Sequence, residues 1–413
     1  MTGLSEMVAK PDHVPDAAVY DFDYHSDPEL LADPHKRIRR ILDEAPSVFW
    51  TPRNGGAWIA MGFDEVFRIL REPETFSSSR IPLEEMEELK ARLPADMPRI
   101  PQLMPISIDP PKHAAIRSPL QKAFSPKAAM GQLDGIKALC AELIDAVAEQ
   151  GHCDFISAIA EPLPVTVFLR MMGLPVERLA EFRELVYEVL GQSHDVLSSR
   201  MALRKVADTL HDTIVQSKQE RDDTLLSKLW ETEIDGEPIT MDLMEDYATL
   251  LFIAGLDTVI NAMGFAVRHM AENQDLQEKL RGDPGLIPDA VEEMLRRYSF
   301  VVPVRRVAHD TTLGDFKLKE GDHLMVHLGG ADLDGHKFER PDEFDLSRDL
   351  KSHVAFGGGP HRCLGMHLAR VELHTLYREM LSRLPMWLLD PAHKPTYHTG
   401  NIVAFDTLHI RWD

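Results

Sequence analysis

Apolar side chains recur at helical spacing along most of this 413-residue chain and alternate at strand spacing in only a few short stretches. Residues 1–27 show no sustained period and are expected to form a largely irregular arm. Between Pro28 and Leu70, two helical patterns flank a hairpin with strands at 47–50 and 57–61 and Asn54-Gly55-Gly56 as its turn. Residues 77–112 are dense in Pro and Met and follow neither period. A loop of that length inside a compact domain usually carries function. From 111 to 220 the helical spacing returns, punctuated by Pro or Gly near 151, 162–164 and 173–175.

The longest apolar period covers 240–273, about 45 Å of helix at 1.5 Å per residue. Thr240 is placed to cap it, and Asp242 lies in the first turn, where the helix dipole favours a negative charge. A helix that long and that apolar has to run through the middle of the molecule. Another helix is expected over 288–298, then short strands between 301 and 327. The chain closes with a glycine loop at 357–359, a helix over 364–381 and strand-like pieces at 401–412. Residues 28–413 therefore read as one mainly α domain with a small β-rich region, without an internal repeat or linker.

Acidic residues outnumber basic ones 67 to 45, for a formal charge of −22. Such a surface repels phosphate backbones, so nucleic acid is not an expected partner. The three cysteines, Cys140, Cys153 and Cys363, have no CxxC spacing. That argues against a disulfide framework and a structural zinc site, and fits a reducing cytoplasm. The first twenty residues lack the apolar core of a signal peptide, and the uninterrupted apolar stretch near 250–254 is too short to span a bilayer. No membrane insertion is expected.

The strongest chemical signal is Phe356-Gly357-Gly358-Gly359-Pro360-His361-Arg362-Cys363-Leu364-Gly365. Glycines without Cβ let a backbone fold tightly and approach a flat ligand. Cys363 follows at the entry to a helix, where the dipole and free N–H groups favour a thiolate. This string resembles the haem-ligand signature of the cytochrome P450 superfamily, Phe-Gly-x-Gly-x-His/Arg-x-Cys-x-Gly. From about residue 30 onward, further stretches follow that family's order. Gly255-Leu256-Asp257-Thr258-Val259, Glu292-Glu293-Met294-Leu295-Arg296-Arg297 and Asp109-Pro110-Pro111 are most similar to the camphor-hydroxylase branch of soluble bacterial class I enzymes.

The resemblance implies a single haem-thiolate monooxygenase fold holding haem b, with Cys363 as the iron ligand. Phe356 and Gly365 are fixed positions of the signature, and His113, Arg117, Arg305 and His361 become the cations for the haem propionates. In the family the long helix is locally widened over the haem, which makes Asp257 and Thr258 the acid and hydroxyl that manage protons. Glu293 and Arg296, three apart on one helix face, become a buried brace to the segment 338–344. An apolar pocket is implied at Gln102, Met104, Ile106, Leu250, Ile253, Val301, Asn401 and Ile402, with Gln102 or Asn401 as hydrogen-bond candidates. Met86 and Met97 add flexible apolar side chains nearby.

The implied activity is hydroxylation of a small apolar compound, a terpenoid or norisoprenoid, by a cytoplasmic enzyme. It would use dioxygen and electrons from NAD(P)H, delivered by a reductase and a small acidic [2Fe-2S] ferredoxin docking near Lys112, Lys122, Lys127, Lys351 and Arg362. Camphor itself is not the expected substrate: relatives that take it carry a Tyr in the loop over the haem, and residues 77–123 hold no Tyr, Trp or Phe. Two other readings of the motif are a peroxide-driven enzyme of the same fold and a non-catalytic haem protein that senses or carries a gas. The Asp257–Thr258 pair weighs against both, because neither needs managed protons.

Overall fold

The hairpin around Asn54 forms because three consecutive residues adopt left-handed backbone, with φ of 54° at Asn54, 84° at Gly55 and 81° at Gly56. A Cβ on Gly56 would lie 2.7 Å from the Trp50 ring, so close approach demands glycine there as well. The strands are β1 (Val48–Thr51) and β2 (Ala57–Ala60), paired antiparallel with Trp50 opposite Trp58. Three more strands complete the sheet: β3 (Phe76–Ser77), β4 (Val304–Val307) and β5 (His323–Val326). Their order is β1-β2-β5-β4-β3, with β5 parallel to β2 and antiparallel to β4.

This computed structural model describes residues 4–79, 81, 98–190, 196–255, 257–349, 352–400 and 402–413. Met86, Met97, Leu256, Lys351 and Asn401 lie outside them. The N-terminal arm has little regular structure beyond the short turn Asp16–Ala18, yet it is packed down. Val14, Ala18, Phe22 and Tyr24 are buried, and the Tyr20 N–H donates to the Trp50 carbonyl at 3.0 Å.

The helices that position the site are α1 (Phe63–Arg71), α2 (Lys112–Ala123), α3 (Leu133–Ala148), α4 (Pro162–Met172), α5 (Leu179–Leu190) and α6 (Val196–Gln219). They are followed by α7 (Met241–Gly255), α8 (Thr258–Glu272), α9 (Ile287–Arg297) and α10 (Met366–Arg383). Thr240 caps α7 as expected, its hydroxyl accepting the Leu243 N–H at 3.2 Å.

The single helix expected over 240–273 is corrected to two. Asp257, at φ −129° and ψ −40°, is out of helical register and serves as the N-cap of α8. Two contacts account for the break. A Cβ on Gly255 would stand 2.6 Å from the Phe168 ring of α4, so the chain is squeezed there. Asn261 then holds the far side: its Nδ2 donates to the Asp257 carbonyl at 3.0 Å while its Oδ1 accepts the Phe405 N–H at 2.8 Å. Apolar periodicity runs unbroken across this point because both halves bury the same face. By length and hydropathy the stretch Met241–Glu272 could cross a membrane, but most of it is buried inside the protein, as a core helix is.

Near the C-terminus, Val403–Thr407 and His409–Trp412 realise the expected strands. Their partners Thr396–Thr399, Trp387–Leu389 and His152–Asp154 are too short to show a period.

Candidate active site

The stretch 354–363 folds back through its own backbone. The Gly357 N–H donates to the Val354 carbonyl at 2.7 Å and the Cys363 N–H to the Phe356 carbonyl at 2.9 Å. Gly357 and Gly359 take φ of 68° and 60°, and a Cβ on Gly359 would come within 2.0 Å of the Leu70 carbonyl oxygen. Backbone therefore lies directly on the end of α1. Gly358 has an ordinary extended φ of −156°, so conformation demands only two of the three glycines.

Cys363 precedes α10 by three residues, with Gly365 as the helix N-cap. Its side chain is accessible, yet the protein around it raises its thiol pKa through burial. The N–H of Gly365, Arg117, Arg370 and the N–H of Met366 pull the other way, towards thiolate. A side chain that is accessible but surrounded opens on an interior cleft. Ala254 is also exposed although it lies on a core helix. Cys140 and Cys153 differ: both are buried, and burial pushes each up to about 12, which leaves them inert.

Two histidines and two arginines from separate parts of the chain gather beside the loop. The His113 and His361 rings are 4.3 Å apart between centroids, and neither Nε2 has a hydrogen-bond partner although both are buried. Asp109 Oδ1 is 3.9 Å from His361 Nε2, too far for a hydrogen bond. Burial lowers His113 to about 4, helped by His361 and Arg117. Arg117 donates to the Arg362 carbonyl, and Arg305 projects from β4 into the protein with its charge acting on His361.

The acid and hydroxyl lie at the helix break. Asp257 is half-buried, and burial raises its carboxyl, opposed by His398 and Asn261. Among the described residues it has no ion-pair partner, and the Thr258 hydroxyl makes no hydrogen bond. Thr258 thus forgoes the back-bond to the preceding turn that a threonine in a helix commonly makes. The Tyr377 hydroxyl donates to the Ala262 carbonyl at 3.3 Å, tying the helix that follows Cys363 to the one that begins at Thr258.

Under the loop, Glu293 and Arg296 are both fully buried, with Arg296 Nε 2.7 Å from Glu293 Oε2. The guanidinium also donates to the carbonyls of Asp332, Pro341 and Glu343. Sequence reasoning missed two supports here. Asp332 Oδ1 accepts the Val354 N–H at 2.8 Å and so fixes the start of the loop. Glu292 takes a fork of bonds from Arg370, whose guanidinium lies 4.6 Å from the Phe356 ring centroid, and one from His353. Burial would raise Glu292, but those partners hold it at about 2. In the sequence Glu292 stands next to Glu293 on a charged helix, and nothing local shows that it is the one that meets Arg370.

Of the residues assigned to the pocket, Met104, Ile253 and Val301 are half-buried against the main apolar core and Ile402 belongs to it. Val301 and Ile402 pair across an isolated bridge. Leu250 is buried but lies outside that cluster. Gln102 is fastened through its backbone N–H to Asp246 Oδ1 at 2.8 Å, whereas Ile106 is 51% exposed.

A family model described as cytochrome P450 matches residues 163–283 and 286–407, more than half of the chain. The chain belongs to the cytochrome P450 family. Probable cytochrome P450 127A1 of Sinorhizobium fredii is 30% identical over 411 residues, covering 97% of this chain and 96% of that protein. A steroid C26-monooxygenase of Mycolicibacterium smegmatis is 34% identical over 353 residues, 83% of this chain and 84% of its own. The crystal structure of CYP101J2 superposes with a TM-score of 0.86 at 30% identity, over 98% of this chain and 100% of that one. CYP109E1 from Bacillus megaterium, solved with testosterone, gives 0.83 at 26% identity over 94% and 100%.

As a P450, the protein is a haem-iron monooxygenase that uses dioxygen and NAD(P)H-derived electrons passed through redox partners. The residues present fit that group. A thiol opens on an interior cleft, two buried imidazoles have orphaned nitrogens, and two guanidinium groups act on the same place. Such donors suit a flat apolar ring carrying two carboxylates.

Proposed function

We propose that this P450 hydroxylates a compact terpenoid or norisoprenoid in the cytoplasm, with Cys363 as the haem ligand and a small acidic [2Fe-2S] ferredoxin as the electron donor. One observation carries the reading: the Cys363 side chain is accessible although the protein surrounds it, beside the paired rings of His113 and His361 and the charge of Arg117. Haem, when bound, supplies the activation of oxygen; the protein supplies everything around it. His113, Arg117, Arg305 and His361 would hold the propionates, and Phe356 and Gly365 would shape the loop against the ring. The Thr258 hydroxyl, spared from back-bonding, would orient a proton donor, and Asp257 would carry the proton in from solvent. Leu250, Ile253, Val301, Ile402 and Met104 would exclude water and grip the substrate by apolar contact, with Gln102 or Asn401 for a single polar group. Ile106, being exposed, is assigned to the pocket mouth.

The experiment is a panel of camphor, cineole, ionones, a fatty acid and a steroid, run on the protein and on Thr258→Ala. Haem spin-state shifts give affinity, and product per NAD(P)H gives coupling. Cineole or an ionone is expected to bind best. Loss of one hydrogen bond to a ketone, worth about 0.5–1.5 kcal/mol, weakens camphor by up to roughly tenfold. Thr258→Ala is expected to bind as well as the parent while diverting electrons to hydrogen peroxide. Preference for the fatty acid or steroid, or for camphor with a single product, overturns the substrate class. An unchanged product yield removes Thr258 from the mechanism.

For the donor, Lys112, Lys122, Lys127 and Arg362 are all exposed. Arg362 also edges a groove of about 450 Å³ with Arg348, His353, Arg370 and the acids Asp289, Glu292 and Asp349. Electrostatic steering to such a face weakens with salt, because the Debye length is about 10 Å at 0.1 M. Reduction by the ferredoxin is expected to slow as ionic strength rises, and a rate indifferent to salt counts against this face.

A further inference from the structure

A stretch of chain ahead of and within α4 runs along the broken helix and pins it at two points. A Cβ on Gly255 would meet the Phe168 ring at 2.6 Å, and one on Gly264 would meet Ile156 Cδ1 at 3.1 Å. The two segments therefore lie antiparallel, with Glu161, midway between Ile156 and Phe168, level with the turn from Asp257 to Asn261. Glu161 occupies the N-cap position of α4 but makes no capping hydrogen bond with its side chain. It is 5% exposed, and its carboxylate is paired with Arg183 on α5, whose side chain is partly exposed.

The charged surroundings are few. Burial pushes Glu161 up to about 7; Arg183 opposes this, while the negative charges of Asp154 and Asp257 reinforce it. No other charged group among the described residues reaches it. Asp257 is raised by burial too, and the groups acting against that rise are His398, itself bonded to Asp406, and Asn261. The negative charge of Asp257 makes Glu161 harder to ionise, which is the condition for two neighbouring acids to exchange a proton.

We propose that Glu161 is a second acid in the proton path, sharing one proton with Asp257 and reloading from solvent beside Arg183. The inference rests on reading Asp257 as the acid that serves the oxygen-activating centre. In the step, the O–H bond of the Glu161 carboxyl breaks and one forms on an Asp257 carboxylate oxygen, directly or through water. No electrons are transferred, and the pair keeps a charge of −1 throughout. The new Glu161 carboxylate is held by Arg183 until a solvent proton returns to it. Glu161 acts through Asp257 and is thus a positioning residue. Glutamate suits the place because its neighbours let it release and regain a proton near neutrality.

The test follows the carboxylic C=O stretch by difference infrared spectroscopy through a pH titration of the haem-loaded protein. The parent is expected to show a band titrating near neutrality that Glu161→Gln removes. Asp257→Asn should shift its midpoint to lower pH by removing a negative neighbour, and Arg183→Ala to higher pH by removing a positive one. In turnover, Glu161→Gln should flatten the pH dependence of product per NAD(P)H and lower that yield severalfold, with the thiolate-type carbonyl spectrum intact. A midpoint that Asp257→Asn leaves in place, or a parental pH profile in Glu161→Gln, overturns the proposal. Should Glu161→Gln fail to fold, the midpoints in Asp257→Asn and Arg183→Ala still decide the matter. The two layers fail differently. Infrared coupling with full product yield in Asp257→Asn overturns the reading of Asp257 and the relay with it, whereas lost yield without coupling overturns only the part given to Glu161.

Discussion

Cys363→His is expected to abolish the strongly red-shifted Soret band of the ferrous carbonyl complex and to reduce product formation to background. The red shift comes from thiolate electron density on the iron, which an imidazole does not supply. The site is built around that sulfur. The Cys363 N–H is fixed to the Phe356 carbonyl, and the N–H groups of Gly365 and Met366, with Arg117 and Arg370, favour the thiolate against burial. An imidazole-type carbonyl spectrum in the parent protein would remove Cys363 from the iron and bring down the assignment of the whole loop.

Arg296→Ala is expected to cost about 3–5 kcal/mol of stability, since breaking a fully buried ion pair strands its partner's charge. Glu293 would keep Arg348, 3.2 Å away, and the Asp345 N–H at 3.1 Å, and the carbonyls of Asp332, Pro341 and Glu343 would lose the donor that gathers them. At roughly 2.1 cal/mol/K of unfolding entropy per residue, that loss lowers Tm by about 4–6 °C in a chain of this length. Haem retention should fall as well, because Asp332, whose carbonyl Arg296 holds, also holds Val354 at the start of the Cys363 loop. Arg296→Lys keeps the charge but not the fork, and should recover only part of the loss. A melting temperature unchanged in Arg296→Ala would show that the pair does not brace the loop.

Glu293 and Arg296 also mark how far the sequence could be read. Their three-residue spacing was visible, but the same spacing occurs in solvated surface pairs, and nothing local distinguishes them. Burial depends on which segments pack over α9, and the segment that does so here, 338–348, comes much later in the chain. The resemblance to a family supplied what spacing could not.

By itself the sequence determined the features whose causes are contiguous. Left-handed residues at Asn54, Gly55 and Gly56 set the hairpin, and the Thr240 hydroxyl capped α7 from three residues away. The run from Phe356 to Gly365 carried its own turn, its own ligand and the start of the helix behind it, which is why the haem site could be located before any contact was known. The resemblance implied an opening of the central helix at Asp257 and Thr258, but only the tertiary structure showed its cause, Phe168 pressing on Gly255 and Phe405 engaging Asn261 from distant elements. It also decided that His113 meets His361, and that Glu161 lies against the first turn of α8. Hydrophobic periodicity reports which face of an element is buried; it says nothing about which distant side chain that face will meet. The charge state of a buried acid depends on that neighbour, and so does the proton chemistry proposed for Asp257 and Glu161.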